Sequence, residues 1–269
     1  MLGYGETSKA TNPADYRQSL MSKDLTEILD SEGVKQAAVI GHDWGAYVAA
    51  RFALFQPERT LAVGFITVGY MPPNPGPFDL QPAHELSKQR LGYEVLGYWE
   101  FFAAPDAAKV CMENFEAFFN VVWPDDSEVW RTASIPLGAM RKTMKSNEIL
   151  PAPSWMSEED KHLISEPILK NGLEAPMCYY QVHTLGLACE DDKLLEGKAE
   201  LSQPVFFLDA LDDLITCEER FMLGTGQTES PVAKYCKNAT VKRIKVDHWV
   251  MLRIPDELNA MLLEWLETF

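Results

Sequence analysis

The chain lacks the features by which proteins usually bind nucleic acid or membranes. Its 269 residues contain 24 Lys and Arg against 40 Asp and Glu, a net charge of −16, and no run of basic residues interleaved with aromatic ones. It also lacks an apolar run of about 18 residues that could span a bilayer, and its first residues do not have the pattern of a signal peptide. We therefore expect neither nucleic acid nor a membrane as partner, and a neutral small molecule as ligand.

Cysteine is scarce, and its distribution indicates neither a metal site nor a disulfide framework. The five cysteines are odd in number, lie far apart and form no closely spaced pair of the kind that holds zinc (Cys111, Cys178, Cys189, Cys217 and Cys236). Because disulfides are typical of secreted proteins, this distribution favours reduced, packed thiols and a cytoplasmic enzyme.

The segment Val39–Ala46 carries the strongest local signal. An apolar, β-type run ends there on Gly-His-Asp-Trp-Gly, and a helix-forming run of small residues follows. Gly41 and Gly45 avoid a Cβ clash where the two backbones cross, and the side chain between them is held above the sheet. A carboxylate at that position is already anionic at neutral pH and attacks without a base. The pattern predicts a nucleophile elbow carrying Asp43; the alternative is an ordinary tight turn of a parallel α/β protein.

Hydrophobic periodicity predicts an α/β fold with a mostly parallel sheet. The elements expected in the sheet domain are a helix over 13–32, a strand over 36–42, a helix from 44 that ends at Pro57, strands over 61–68, 204–208 and 240–246, and a final helix from 255. After the proline-rich segment 71–77 the β signal gives way to helical and aromatic patterns, with a capped helix start at Ser157 and another helix over 176–187. We predict an α/β core in two parts, 1–70 and 201–269, separated by a helical cap at 71–200.

Two further ionisable groups follow the last two strands. Asp213 comes five residues after Leu208, and His248 comes two residues after Val246. Since the carboxyl ends of parallel strands meet at one edge of a sheet, both side chains are expected near Asp43. The order nucleophile, acid, base along the chain is that of the α/β-hydrolase fold. Asp209 and Asp212 are close competitors of Asp213 for the acid.

With these motifs the sequence resembles the epoxide hydrolases of the α/β-hydrolase superfamily over nearly its whole length. The matching segments are the Gly-Tyr-Gly-Glu-Thr loop, the His-Asp-Trp-Gly elbow, the turn after the elbow helix and the histidine loop (3–7, 42–45, 57–59 and 248–249). The family usually has glycine where this chain has Asp247. In the cap, Tyr98 and Tyr180 fall where the family has its two ring-opening tyrosines, with Tyr93 and Tyr179 as nearby alternatives.

The resemblance implies a two-step reaction that needs no metal or organic cofactor. Asp43 attacks a carbon of a small apolar epoxide while Tyr98 and Tyr180, phenols that are protonated at neutral pH, hydrogen-bond the departing oxygen. A covalent alkyl-enzyme ester results. His248, oriented by Asp213, then takes a proton from the water that attacks the ester, and the backbone N–H of Trp44 stabilises the oxyanion. The product is a vicinal diol.

The family has strands and a helix before the Gly-Tyr-Gly loop, including a His-Gly-x-Pro segment, and no His-Gly occurs in these 269 residues. The resemblance therefore implies that the N-terminal strands are missing from the sequence. We expect the nucleophile strand to be a sheet edge through which copies self-associate, and activity to be impaired.

Two other functions fit the same motifs. A haloalkane dehalogenase shares the aspartate elbow and uses the following tryptophan to bind halide, although the paired cap tyrosines argue against it. The chain could also be a non-catalytic α/β-hydrolase-like protein that acts by association.

Overall fold

A computed structural model describes residues 1–146, 149–226 and 228–269. It has four strands, β1 (Ala37–His42), β2 (Thr60–Ile66), β3 (Val205–Ala210) and β4 (Ala239–Ile244). The helices in the sheet-forming parts of the chain and in the long insertion are α1 (Gln18–Ser31), α2 (Trp44–Phe55), α3 (Gln81–Leu91), α4 (Gly97–Phe102), α5 (Ala107–Glu113), α6 (Phe115–Val122), α7 (Trp130–Ala133), α8 (Ala139–Lys145), α9 (Glu158–Asn171), α10 (Glu174–Thr184), α11 (Leu187–Asp192), α12 (Glu218–Thr225), α13 (Pro231–Tyr235), α14 (Val250–Arg253) and α15 (Pro255–Leu266).

These elements form two compact units. The helical unit contains 1–16, 78–185 and 223–226, and the sheet unit contains 17–77, 186–222 and the rest of the described chain up to 269. The sequence-based limits of 1–70, 71–200 and 201–269 remain a prediction, and the packing groups residues 1–16 with the helices instead. No helix of the described ranges is both long and apolar enough to cross a bilayer.

The sheet unit is built on a parallel sheet in the order β1-β2-β3-β4. Alternate residues of β3 pack on opposite faces: Val205 and Phe207 join the small residues of α2, whereas Phe206 and Leu208 join Leu258 and Trp265 of α15. Burial on both faces explains why β3 is an uninterrupted apolar run. The predicted α/β class is confirmed.

The helix expected over 13–32 is broken near its start. Residues Pro13–Tyr16 form a separate 3₁₀ helix, Arg17 is extended, and α1 begins only at Gln18. The break has a long-range cause, because the carboxylate of Asp191 accepts the backbone N–H of Ser19 at 2.7 Å and so satisfies a donor at the new helix start.

The helical unit holds its N-terminal residues against α10. The Tyr179 hydroxyl donates to the carbonyl of Leu2 at 3.1 Å, and the Tyr16 ring lies edge-on to Tyr179 with centroids 5.0 Å apart. The helix start expected at Ser157 is confirmed, since its side chain accepts the N–H of Asp160.

All five cysteines are buried, and none of them forms a disulfide. Burial raises the pKa of the Cys111 and Cys236 thiols to about 12 and that of Cys178 to about 11. Within the described residues, no cluster of three or more His, Cys, Asp or Glu side chains could hold a metal ion.

Candidate active site

Asp43 occupies a strained turn between β1 and α2. Its backbone has φ 52° and ψ −121°, a combination that residues other than glycine rarely adopt. The turn is so tight that a Cβ on Gly41 would lie 2.0 Å from the carbonyl oxygen of Gly45. The Asp43 side chain is 30% exposed, so the elbow presents a carboxylate at the carboxyl end of the sheet.

Asp213 lies in the turn after β3 and is fully buried. One carboxylate oxygen accepts the backbone N–H groups of Ile215 and Thr216 at 2.8 and 3.1 Å. The other contacts the Thr216 hydroxyl and lies 2.6 Å from Nδ1 of His248. These donors fix the carboxylate with one oxygen facing the imidazole.

His248 bridges the two aspartates. Its Nδ1 faces Asp213, and its Nε2 lies 3.5 Å from Oδ1 of Asp43. The competitors for the acid lie elsewhere: Asp209 is buried on β3, 3.4 Å from Nε of Arg243, and Asp212 is exposed. The structure thus brings together Asp43, Asp213 and His248.

The electrostatics of these groups are coupled. Burial lowers the pKa of His248, but Asp213 and, more weakly, Asp43 and Asp247 raise it to about 9. Burial raises the pKa of Asp213, but His248 and the Thr216 hydroxyl lower it to about 2. Burial raises the pKa of Asp43 above its ordinary value against the opposing effects of His248 and a hydrogen bond from the Trp44 backbone N–H. That N–H is therefore directed at the carboxylate of the elbow.

His42 is a member of the site that sequence analysis missed. Its Nε2 lies 2.9 Å from the backbone carbonyl oxygen of His248, and the two imidazole rings are 4.6 Å apart. Burial, and then His248, lower the pKa of His42 to about 3, so the ring is neutral and its Nε2–H donates to the carbonyl. The only sequence signal was its position next to Asp43.

The helical unit brings Tyr98 and Tyr180 together. Tyr98 lies on α4 and Tyr180 on α10, with ring centroids 6.0 Å apart and planes at 80°. The Phe102 ring packs on Tyr180 at 4.9 Å. Of the alternatives, Tyr93 lies under the Arg131 guanidinium at 5.4 Å. The Tyr179 hydroxyl donates to the Leu2 carbonyl, and burial raises the pKa of this phenol above its ordinary value.

Trp99 is a further aromatic neighbour of Tyr180, and sequence analysis gave it no role. The Trp99 ring is 5.9 Å from Tyr180 and 5.6 Å from His183, and Phe78 stacks on Trp99 at 5.9 Å. His183 comes three residues after Tyr180 on the same helix, a spacing that indicates a shared face. The tyrosine pair thus lies in an aromatic cluster.

Comparison with known proteins agrees with this architecture. A sequence profile described as the alpha/beta hydrolase fold matches residues 1–125. The solved epoxide hydrolase from an endophytic Streptomyces superposes on 99% of this chain and 78% of its own, with a TM-score of 0.78 at 23% identity. The chain has the α/β-hydrolase fold. Epoxide hydrolase A from Mycobacterium thermoresistibile gives a TM-score of 0.75 at 24% identity over 99% of this chain and 80% of its own.

Curated proteins that are similar to this chain carry epoxide hydrolase names. Bifunctional epoxide hydrolase 2 of Sus scrofa is 26% identical over an alignment of 276 positions, which covers all of this chain and 45% of the relative. Epoxide hydrolase srdG of Neurospora crassa is also 26% identical, over all of this chain and 77% of the relative. The chain spans about half the length of the mammalian relatives it matches.

Proposed function

We propose that the chain hydrolyses epoxides to vicinal diols through a covalent ester on Asp43. The observation that carries the proposal is the position of His248, 2.6 Å from Asp213 and 3.5 Å from an elbow residue that is a carboxylate and not a serine. A carboxylate nucleophile is suited to an sp3 carbon, and the names of the relatives supply the substrate class.

In the first step an oxygen of Asp43 forms a bond to one oxirane carbon while the bond from that carbon to the ring oxygen breaks. The electron pair of the broken bond stays on the oxygen, which takes a proton from the phenol of Tyr98 or Tyr180. Both phenols therefore serve as hydrogen-bond donors to the leaving oxygen. The products are a β-hydroxy ester of Asp43 and a phenolate that is reprotonated by solvent.

In the second step water attacks the carbonyl carbon of the Asp43 ester. Nε2 of His248 takes the proton of the water, Asp213 stabilises the imidazolium, and the Trp44 N–H stabilises the oxyanion. Formation of the ester favours the neutral imidazole that acts as the base, because it removes the Asp43 charge that helps to raise the pKa of His248. Collapse of the tetrahedral intermediate expels the diol oxygen as an alkoxide, which takes the proton from the His248 imidazolium. The carboxylic acid left on Asp43 then loses its proton to solvent, which regenerates the carboxylate.

The experiment is a rapid-quench reaction with an aryl epoxide such as styrene oxide, followed by peptide mass spectrometry. We expect an adduct on the Asp43 peptide and, after one turnover in water enriched in the heavy oxygen isotope, label in the Asp43 carboxylate and not in the diol. Label in the diol alone, or full activity of Asp43→Ala, contradicts the proposal. Substrate-dependent release of halide from haloalkanes would favour the dehalogenase alternative.

We also propose a cytoplasmic location, because the five cysteines are buried and form no disulfide.

We further propose that two copies of the chain associate through β1. Within the described residues β1 pairs only with β2, and Ile40 on it is 39% exposed. Such an edge offers free backbone donors and acceptors. Size-exclusion chromatography should show larger species that Ile40→Lys disperses and Leu61→Lys, on the doubly paired β2, does not. A monomer that neither substitution changes contradicts this.

A further inference from the structure

Asp247 makes contacts that tie the histidine loop to the helix after it. The loop joins β4 to α14, and Asp247 directly precedes His248. One carboxylate oxygen of Asp247 accepts the backbone N–H of Trp249 at 3.0 Å. The other accepts Nε and Nη2 of Arg253 at 2.9 and 2.6 Å, with only 10% of the Asp247 side chain and 20% of the Arg253 side chain exposed. Charge-assisted hydrogen bonds of this length in a largely buried setting are among the stronger polar contacts in proteins.

The backbone of His248 is thereby held from both sides. Asp247 fixes the N–H of the residue after His248, and the backbone N–H of Arg253 donates to the Trp249 carbonyl at 2.9 Å. His42 holds the His248 carbonyl. Residues 245–249 belong to no strand or helix. These contacts, together with the bond from Asp213 to Nδ1 of His248, therefore position the imidazole in place of a repeating backbone pattern.

We propose that Asp247, together with Arg253, is a positioning residue that aims His248 at the Asp43 ester during its hydrolysis. This inference rests on the proposed function. Asp247 touches neither Asp43 nor Asp213 and acts through His248.

The two chemical steps respond differently to a misplaced His248. Ester formation needs only the Asp43 carboxylate and the hydrogen-bond donors to the leaving oxygen, whereas ester hydrolysis needs His248 within proton-transfer distance of the attacking water. A misplacement of about 1 Å is enough to slow a step about 100-fold. Asp247→Ala, which removes both sets of contacts, should slow ester hydrolysis about 10-fold to 100-fold and change ester formation by less than about 3-fold.

The test measures both rates by rapid quench in the full chain. The burst amplitude counts folded, competent molecules, so a variant that merely folds poorly loses amplitude while its two rates stay unchanged. Asp247→Asn, which keeps an acceptor for Trp249 but loses the charge, should fall between the parent and Asp247→Ala. Arg253→Met tests the partner. Glu264→Gln is the matched control, because it breaks the exposed pair between Lys242 Nζ and Glu264 Oε2, 2.9 Å apart, in the same unit.

Selective slowing of hydrolysis in Asp247→Ala and Arg253→Met, with unchanged rates in Glu264→Gln, supports the assignment. Parental hydrolysis rates in Asp247→Ala and Arg253→Met overturn it, whether or not the amplitude falls, since a fall in amplitude alone is a structural effect. If the parent forms no ester on Asp43, the proposed function itself fails and this inference fails with it, and that outcome is visible before any Asp247 variant is made.

Discussion

The two units position their chemical groups by different physical means. In the sheet unit, Asp43, Asp213 and His248 follow the ends of three parallel strands and are fixed by backbone geometry and hydrogen bonds. In the helical unit, Tyr98 and Tyr180 lie on two helices of 6 and 11 residues and are held by ring packing.

This difference predicts that the two units tolerate substitutions to different degrees. A hydrogen-bonded, largely buried group loses its partner outright when that partner is changed, and a group left unpaired in the interior is costly. Packing between aromatic rings degrades more gradually, because each contact contributes little by itself. We therefore expect sharp losses from substitutions in the sheet unit and graded losses from those in the helical unit.

The largest expected effect is that of His248→Gln. Attack by Asp43 needs no base, whereas hydrolysis of the ester does, so the variant should form one equivalent of alkyl-enzyme and then stall. Steady-state turnover should fall on the order of 10⁴-fold. Intact-protein mass spectrometry during the reaction measures the accumulation, and steady turnover without a covalent species would exclude His248 as the base.

Asp213→Asn should slow ester hydrolysis on the order of 10³-fold, because an amide neither holds the imidazole tautomer nor stabilises the imidazolium. Asp212→Asn is the matched control, since Asp212 is exposed and adjacent in sequence. Single-turnover rates for the two variants make the comparison. Equal effects of both substitutions would show that position in the loop, and not the contact with His248, matters.

Tyr98→Phe and Tyr180→Phe together should slow ester formation on the order of 10²-fold and leave ester hydrolysis nearly unchanged. Each single variant should lose less than the pair, in keeping with graded losses. Tyr93→Phe and Tyr179→Phe are the controls, and Tyr179→Phe should lower the melting temperature because its hydrogen bond to Leu2 is lost. Unchanged ester formation in the double variant would assign the donor role to other groups.

The smallest effect concerns the stability of the sheet unit against pH. The pKa of His248 is raised from 6.5 to about 9 in the folded chain. Its contribution to the free energy of unfolding is therefore complete below pH 6.5 and is lost as the pH rises through about 9. The pKa of Asp213 is lowered from 3.8 to about 2, so its contribution is present above 3.8 and is lost as the pH falls through about 2.

Denaturant unfolding across this range should show an alkaline decrease in the free energy of unfolding on the order of 3 kcal/mol at most. His248→Gln should flatten that decrease. An alkaline decrease of the same size in the parent and in His248→Gln would show that other groups cause it.

Much of the sheet unit could be predicted because its signals are local. Apolar runs mark the strands, and glycine spacing marks the elbow that carries Asp43. The break at Arg17 could not be predicted, because it depends on Asp191, 172 residues from Ser19 along the chain. The choice between Asp213 and Asp209 depends on which carboxylate the turn directs at His248, and residue order does not contain that information. The contact of His42 with the His248 carbonyl is likewise purely tertiary.

The burial of every cysteine has a consequence for the proposed reaction with epoxides. Epoxides alkylate thiolates readily, so a protein that concentrates such a compound at its own surface is exposed to self-inactivation. Burial keeps these thiols inaccessible and, at Cys111, Cys178 and Cys236, holds them in the unreactive protonated form. On the proposed function the chain is thus protected from alkylation of its thiols, and Asp43, the proposed nucleophile from which water can release the alkyl group, is left to react.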